Sequence, residues 1–290
     1  MDLEDARLTI VGLGLMGGSM ALALRPRCRE LVGIDSNPET LELARRAGIT
    51  TQESDPAQAH TDVLILATPV KETLRLLEAF RSDPPAVHLL MDIGSTKRQI
   101  VDAMEMLPSR VAAVGGHPLC GKERAGFAEA EAELFFGSLF VLTPCSRTTP
   151  SSLALAEQIV GALGASVRQM GAARHDRLVA TASHLPYLLA TALMRSAESV
   201  GGKDPELWDL VSSGFLSTSR LGASDLTMMV DILTTNQDNV QEALARAQAE
   251  LEQLRELLVG GEIGRLRDYL EPSQHRRASM KDPGVSTRGA

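Results

Sequence analysis

The chain has 290 residues, 44% of them hydrophobic and 23% charged, a composition typical of a globular protein that needs no disulfide or metal staples. Its 29 basic and 37 acidic residues give a formal net charge of −8, which argues against a general nucleic-acid binder, because such proteins carry a basic face. Cys28, Cys120 and Cys145 show neither paired nor metal-ligand spacing. We therefore expect no metal site and a reducing, cytoplasmic environment.

The stretch Leu8–Leu24 carries no charge and resembles a signal peptide or membrane helix at first sight. The preceding Asp2, Glu4, Asp5 and Arg7 sum to a negative charge, whereas an export signal needs a positive one. The stretch is also shorter than the ~20 residues that a membrane helix requires. We therefore predict a soluble protein without a membrane-spanning segment.

Short apolar runs alternate with amphipathic stretches as far as Met170. This pattern is typical of βαβ units and predicts a parallel sheet buried on both faces. The predicted strands are Leu8–Gly12, Leu31–Asp35, Asp62–Ala67, Val87–Asp92, Val111–Val114, Leu139–Leu142 and Ser166–Met170. The predicted helices between them include Pro38–Ala47, Lys71–Arg81, Lys97–Leu107 and Ser151–Leu163.

After Met170 the strand signals stop and helical periodicity takes over, with Pro186 as a predicted kink. We therefore predict an α/β domain over residues 1–170, a helical domain over 171–275 and a disordered basic tail over 276–290. The last long helix is typical of a bundle or a dimer interface. The predicted helices are Arg174–Val200, Pro205–Ser213, Asp225–Leu233 and Asn236–Val259.

The segment Gly12–Gly17 (GLGLMG) lies between the first predicted strand and a predicted helix. In that context the pattern is a strong signal for a dinucleotide-binding Rossmann domain. Gly12 permits a tight turn, Gly14 lets a pyrophosphate approach the backbone, and Gly17 lets the helix pack on the strand. The helix begins at Leu15 and Met16, whose free N–H groups favour phosphate.

Asp35 ends the second predicted strand, 18 residues after Gly17. A carboxylate there accepts hydrogen bonds from ribose hydroxyls and repels a 2′-phosphate, so we expect NAD rather than NADP. Thr68 and Pro69 follow the next strand and are expected to border the nicotinamide ribose.

Polar residues follow two further strands, at the edge of the sheet where ligands bind. Ser95 either caps the next helix or presents its hydroxyl to a substrate. Lys97 is either solvated in the first helical turn or close to an anionic ligand. His117 lies in a predicted glycine-rich loop and titrates near neutral pH, so it is a candidate general base. Cys120 shows no identifiable partner and is interpreted as a small buried residue.

In the helical part, His184 and Tyr187 lie three residues apart, on roughly one helix face. Each is either an ordinary packed side chain or part of a site. Arg220 is either an ion-pair anchor or a clamp for a carboxylate, because its planar fork binds carboxylates at two points.

Two longer blocks are more specific than the glycine motif: Gly116–Gly126 (GHPLCGKERAG) and Ser183–Pro186 (SHLP). With the other matching segments they span about residues 8–270. These segments are Gly12–Ser19 (GLGLMGGS), Asp35, Ala67–Val70 (ATPV), Asp92–Lys97 (DIGSTK), His175-Asp176, Gly214–Arg220 and Asp225 to Asn236. Together they make the chain similar to the prephenate/arogenate dehydrogenase family of tyrosine biosynthesis.

The resemblance implies a Rossmann domain followed by a helical dimerisation domain, and a homodimer that oxidatively decarboxylates prephenate or arogenate with NAD. It implies that His117 accepts the proton of the C4 hydroxyl and that Ser95 lies near that hydroxyl. Arg220 matches the arginine that binds a substrate carboxylate, Glu123 the acid that pairs with it, and His184 the first histidine of the family's SHLPH stretch.

Tyr187 stands where the family has a second histidine, and residues 214–217 and 225–229 also depart from its usual pattern. The resemblance places these departures near the substrate side chain or the pocket wall, so the choice among prephenate, arogenate and an amino-prephenate analogue stays open. Two alternatives also stay open. One is a β-hydroxyacid-type dehydrogenase, disfavoured because Lys203 and Lys281 are the only lysines after residue 170 and neither is suitably located. The other is a non-enzymatic NAD-sensing module.

Overall fold

The computed structural model describes residues 1–52, 55–122 and 124–280. The chain divides into two compact units, Met1–Gln237 and Asp238–Ala290. The helices that follow residue 170, as far as Gln237, pack within the first unit.

An eight-stranded sheet forms the centre of the first unit, in the order β3-β2-β1-β4-β5-β6-β7-β8. The order reverses between β1 and β4, as in doubly wound nucleotide-binding sheets. The α/β Rossmann prediction is confirmed. The strands are β1 (Arg7–Val11), β2 (Glu30–Ile34), β3 (Thr50–Gln52), β4 (Val63–Leu66), β5 (Leu89–Asp92), β6 (Ala113–Pro118), β7 (Leu139–Pro144) and β8 (Ser166–Gln169).

The sheet differs from the prediction in one missed strand and in the direction of another. Strand β3 was missed because it is three residues long, polar and on an edge. Strand β7 runs antiparallel to β6, so the all-parallel prediction was wrong. The described part of the connection between them holds the short 3-10 helix Phe127–Glu129 and no crossover helix of the kind that a parallel return requires.

Strand β6 also extends to Pro118, four residues beyond the predicted end. Its two glycines are needed for close packing rather than for a loop. A Cβ on Gly116 would lie 2.6 Å from the main-chain oxygen of Asp92, and one on Gly115 would lie 2.1 Å from Thr143 Oγ1.

Helices cover both faces of the sheet because alternate strand residues point to opposite sides. Leu8 and Ile10 pack under one layer, whereas Leu64, Leu66 and Leu90 pack under the other. The first layer contains α1 (Leu15–Leu24), α2 (Pro38–Arg46) and α5 (Pro150–Ala162), and the second contains α3 (Val70–Ala79) and α4 (Arg98–Glu105).

The rest of the first unit is helical. A single π turn, Ala180–His184, separates α6 from α7, directly before the predicted kink at Pro186. Proline has no N–H to donate to the preceding turn, and the widened turn accommodates that loss. The α-helices are α6 (Ala172–Val179), α7 (Leu185–Gly201), α8 (Ser213–Ser219) and α9 (Leu226–Thr235), with 3-10 helices at Pro205–Leu210 and Arg220–Ala223.

The second unit is a helical hairpin of α10 (Gln237–Gly260) and α11 (Ile263–Ser279), joined at Gly261 with φ +65°. Sequence reasoning missed α11, although Ile263, Leu266 and Leu270 recur at helical spacing. Residues 276–279 end this helix, so the tail predicted over 276–290 was wrong there. Residues 281–290 lie outside the described part of the chain.

Across the ranges that the structure describes, none of the helices combines the length and the apolar character that a membrane crossing would require.

We expect Gly17→Ala to destabilise the protein. A Cβ at Gly17 would lie 1.9 Å from the oxygen of Gly12, and overpacking of this kind costs about 1–3 kcal/mol, or several degrees in Tm. Gly14→Ala is the matched control, because among the described residues no atom lies within 4 Å of its Cβ position. Equal Tm values for the two variants in thermal unfolding would contradict this.

Candidate active site

The glycine turn after β1 is shaped by two close approaches. Gly12 has φ +89°, and a Cβ there would lie 2.8 Å from the main-chain oxygen of Ala67. Gly17 closes α1 onto the oxygen of Gly12. Gly14, in contrast, faces open space within the described part of the chain. The turn therefore packs against the ends of β1 and β4 on one side and leaves its backbone accessible on the other.

The N-terminus of α1 lies at this open side. The first helical hydrogen bond runs from the N–H of Gly18 to the oxygen of Gly14, at 2.9 Å. The N–H groups of Leu15, Met16 and Gly17 thus have no partner within the helix. Together with the helix dipole they suit a phosphate or pyrophosphate group.

Asp35 braces the turn through its carboxylate. It accepts the N–H of Leu13 at 2.7 Å on one oxygen and that of Asn37 at 2.8 Å on the other. Each carboxylate oxygen retains a lone pair, which suits ribose hydroxyls and repels an added phosphate. Beside the turn, Thr68 Cγ2 would lie 3.1 Å from a Cβ on Gly12, and Pro69 is exposed at the start of α3.

A fully buried ion pair joins the end of β5 to β6. The ammonium of Lys97 donates to Asp92 Oδ2 and, at 2.6 Å, to the main-chain oxygen of Gly116. Asp92 Oδ1 accepts the N–H of Gly116 at 3.1 Å. Burial shifts the pKa of Asp92 upward and that of Lys97 downward, and their mutual attraction opposes both shifts. The pair thus fixes the residue that precedes His117.

The expectation that Lys97 is solvated or binds the substrate was therefore wrong. Its side chain has no exposed surface, and its charge is already paired. Sequence reasoning could not show this, because Gly116, whose main-chain oxygen accepts from the ammonium, lies on another strand.

Ser95 does not hold the N-cap position of α4, which Lys97 occupies. The first N–H groups of this helix are instead bound by the carboxylate of Asp176, at 2.7 Å from Lys97 N and 2.8 Å from Arg98 N. Ser95 is partly exposed. Of the two interpretations of this serine, capping of α4 is excluded.

His117 lies within β6, opposite Val141 of β7, rather than in a loop. Its ring is partly exposed, and its Nδ1 lies 2.8 Å from Nε2 of His175. Burial lowers the pKa of His117 well below its ordinary value, and repulsion from His175, Lys97 and His184 acts in the same direction. The ring is therefore neutral at neutral pH and able to accept a proton.

His175 and Asp176 are among the segments that carry the family resemblance, but sequence reasoning assigned no role to either. His175 is 1% exposed, and its Nδ1 lies 2.8 Å from Asp176 Oδ1. Asp176 is also fully buried. The only signal was the adjacent His-Asp pair on a helix, which does not reveal where either side chain points.

His184 occupies the last position of the π turn and is 1% exposed. Its Nδ1 lies 3.3 Å from Nδ2 of Asn236, which also donates to the main-chain oxygen of Asp176 at 2.8 Å. Burial lowers the pKa of His184 to about 4, with His175 acting in the same direction and Asp176 opposing it. His184 is therefore a second neutral imidazole, close enough to His117 to affect its pKa.

Helix α9 ties this cluster to the sheet. Asp231 accepts the N–H of Lys71 at the start of α3 and pairs with its ammonium, both at 3.2 Å. Thr235 Oγ1 lies 2.9 Å from Thr96 Oγ1, beside Ser95. The loops after β4 and β5 are therefore both held by the helical part of the unit.

The remaining predicted site residues have fewer described contacts with the cluster around His117. Tyr187 lies partly buried in the first turn of α7, and Arg220 is exposed at the start of a 3-10 helix that packs against α7. Cys120 is partly buried, and burial raises the pKa of its thiol, in keeping with a small packing residue. Glu123 lies outside the described residues.

Two family models match the chain. The model "Prephenate dehydrogenase, nucleotide-binding domain" matches residues 20–169, and "Prephenate dehydrogenase, dimerization domain" matches residues 171–272. The prephenate dehydrogenase of Bacillus subtilis is 29% identical over 280 residues, which are 94% of this chain and 76% of that protein.

Solved structures agree. The prephenate dehydrogenase of Aquifex aeolicus in complex with hydroxyphenyl propionate and NAD+ superposes with a TM-score of 0.85 at 29% identity, covering 97% of this chain and 99% of that one. The arogenate dehydrogenase of Synechocystis gives a TM-score of 0.77 at 28% identity, covering 94% and 99%. From the motifs, the sheet topology and the length of both matches, the chain belongs to the prephenate dehydrogenase family.

Proposed function

We propose that this chain catalyses the NAD-dependent oxidative decarboxylation of a cyclohexadienol, either prephenate to 4-hydroxyphenylpyruvate or arogenate to tyrosine. Family membership and the Aquifex relative's NAD+ complex support the reaction class and the cofactor. The observation that carries the assignment is the neutral, partly exposed imidazole of His117 on β6. A neutral imidazole is the group that removal of a hydroxyl proton requires.

The glycine turn fits the cofactor. Gly14 leaves the space that a pyrophosphate needs among the described residues, and Gly12, Leu15, Met16 and Gly17 form the turn and the helix start around it. Asp35 is the partner for the ribose hydroxyls, with Thr68 and Pro69 beside the nicotinamide half. When bound, NAD+ supplies the acceptor for the hydride that leaves C4.

His117 is the catalytic base in this proposal. It takes the proton of the C4 hydroxyl as the C4–H bond breaks, and Ser95 hydrogen-bonds the same hydroxyl. The ring carboxylate then leaves as CO2, and its bonding electrons complete the aromatic ring. Aromatisation and the loss of CO2 make the reaction effectively irreversible.

Substrate carboxylates are assigned to Arg220, with His184 and Tyr187 lining the pocket and Glu123 as the acid that pairs with Arg220. Arg220 is exposed, and a guanidinium binds a carboxylate at two points. Lys97 is not among these residues, because its charge is buried and paired.

A homodimer is the proposed assembly. The matched dimerization-domain model covers residues 171–272, and exposed apolar side chains on the second unit support burial against another chain, among them Leu258 at 67% and Ile263 at 80% exposure. A cytoplasmic location stays a prediction.

Family membership decides against the β-hydroxyacid alternative. The NAD-sensing alternative is tested by adding prephenate and arogenate separately to protein and NAD+ and following absorbance at 340 nm. Reduction with either substrate supports the proposal and shows the preferred side chain, whereas NAD binding without reduction by either would overturn it.

We expect His117→Asn to lose about 100- to 10,000-fold in kcat, the usual contribution of a general base. NAD binding, measured by fluorescence titration, should be unchanged because His117 is not part of the glycine turn. His88→Asn is the control, since His88 is exposed at the opposite end of the sheet, before β5. Near-normal turnover in the His117 variant would remove it from the mechanism.

The pH dependence of kcat/KM should reflect the low pKa of His117. The base works only when neutral, so activity is lost as pH falls through its pKa. Because that pKa is well below 6.5, the acidic limb should also lie well below 6.5. A histidine limb at or above 6.5 in steady-state profiles of the wild type would contradict the neutral-base assignment.

Arg220→Gln should raise the KM of the substrate about 10- to 100-fold, the range for one lost charge-assisted hydrogen bond, with a smaller effect on kcat. Arg110→Gln is the control, because Arg110 is exposed before β6, away from His117. The same KM in both variants would refute the carboxylate clamp.

A further inference from the structure

Behind His117, a row of side chains leads into the protein and ends at a fully buried carboxylate. Asp176 accepts hydrogen bonds from Lys97 N at 2.7 Å and Arg98 N at 2.8 Å, and its Oδ1 lies 2.8 Å from His175 Nδ1. Burial raises its pKa, but these hydrogen bonds outweigh burial and keep the pKa below the ordinary value. An ionised carboxylate has no hydrogen to donate.

The hydrogen between Asp176 and His175 must therefore sit on Nδ1 of His175. A neutral imidazole carries one hydrogen, so Nε2 of His175 is then an acceptor. This nitrogen lies 2.8 Å from Nδ1 of His117. The hydrogen in that second contact comes in turn from Nδ1 of His117.

His117 is thereby left with a free lone pair on Nε2. The two rings meet edge to face, with centroids 4.9 Å apart and planes at 76°, so Nδ1 of His117 is turned inward to the buried His175. Nε2 lies on the other side of a ring that is partly exposed. Nε2, the nitrogen that is not in contact with His175, is the one without hydrogen.

The position of Asp176 is fixed from several sides. Its carboxylate lies at the N-terminus of α4, and its main-chain oxygen accepts from Asn236 at the end of α9, at 2.8 Å. A carboxylate at a helix N-terminus is stabilised by the helix dipole. The row therefore cannot turn without breaking contacts to two helices.

We propose that Asp176 and His175 are positioning residues that hold His117 in its Nδ1–H tautomer and so make Nε2 the proton acceptor. The inference rests on the proposed function only in assigning the proton to the substrate. When the proton arrives, the positive charge on His117 is balanced through His175 by Asp176. The pair thus stabilises the state that catalysis creates.

The tautomer can be read directly, without activity. In two-bond 1H–15N correlation spectra of histidine-labelled protein at pH 8, we expect both His117 and His175 in the Nδ1–H form. Signals are assigned with His117→Asn and His175→Gln. An Nε2–H tautomer for His117 would overturn the proposal.

Kinetics of a matched pair test the role in catalysis. Gln at position 175 can accept from Nδ1 of His117 through its amide oxygen, whereas Leu cannot. We expect His175→Gln to keep most of kcat and His175→Leu to lose about 100-fold or more, the scale on which a misoriented base loses activity. KM should change little in both, and equal kcat values would overturn the proposal.

Asp176→Asn gives a further readout. The amide can donate to Nδ1 of His175, which would move the hydrogen of both rings to Nε2 and abolish the base in a folded protein that still binds NAD. If this variant does not fold, the His175 pair and the wild-type spectra decide. If wild type oxidises neither prephenate nor arogenate while its spectra show the Nδ1–H form, the proposed function fails and the tautomer assignment stands.

Discussion

Three charges without exposed surface lie at the carboxyl end of the sheet, and each must be compensated by the protein itself. Asp92, Lys97 and Asp176 are fully buried, and an unpaired buried charge would cost several kcal/mol. The hydrogen bonds and the ion pair that compensate these charges also hold in place the strands and helices from which the partners come. Gly116 of β6 is bound by both members of the Asp92–Lys97 pair, and the start of α4 is bound by Asp176.

His117 follows Gly116 directly, so its place depends on that ion pair, and its orientation depends on Asp176 through His175. Burial of the ring, with repulsion from His175, Lys97 and His184, lowers its pKa and keeps it neutral. One buried charge network therefore sets where the imidazole lies and which way it faces, and burial sets whether it carries a proton.

The net charge of −8 affects how the ligands approach the protein. NAD and a dicarboxylate are both anions, so the overall field slows rather than steers their approach. Lys97 cannot help, since its charge is neutralised inside the protein. Local positive potential for the cofactor phosphates comes from the N-terminus of α1, through its helix dipole and its first N–H groups.

Sequence alone predicted the fold class, seven of the eight strands and the family, because hydrophobic periodicity and the glycine turn are local signals. Sequence reasoning failed where the role of a residue depends on contacts with residues that are distant in the sequence. Lys97 read as a surface lysine because its partner Gly116 lies on another strand. His175 was assigned no role because its contact with His117, 58 positions away, is not visible in the sequence. The antiparallel direction of β7 was not predicted, because the segment between β6 and β7 has no clear sequence pattern. Its described part contains no crossover helix.

The most direct measurement is the fate of the C4 hydrogen. Prephenate and arogenate deuterated at C4 are incubated with the protein and NAD+, and the reduced cofactor and CO2 are quantified by mass spectrometry. The account predicts that each CO2 released is matched by one deuterium in NADH for at least one of the substrates. CO2 release without deuterium in the cofactor, or no reaction with either substrate, would contradict it.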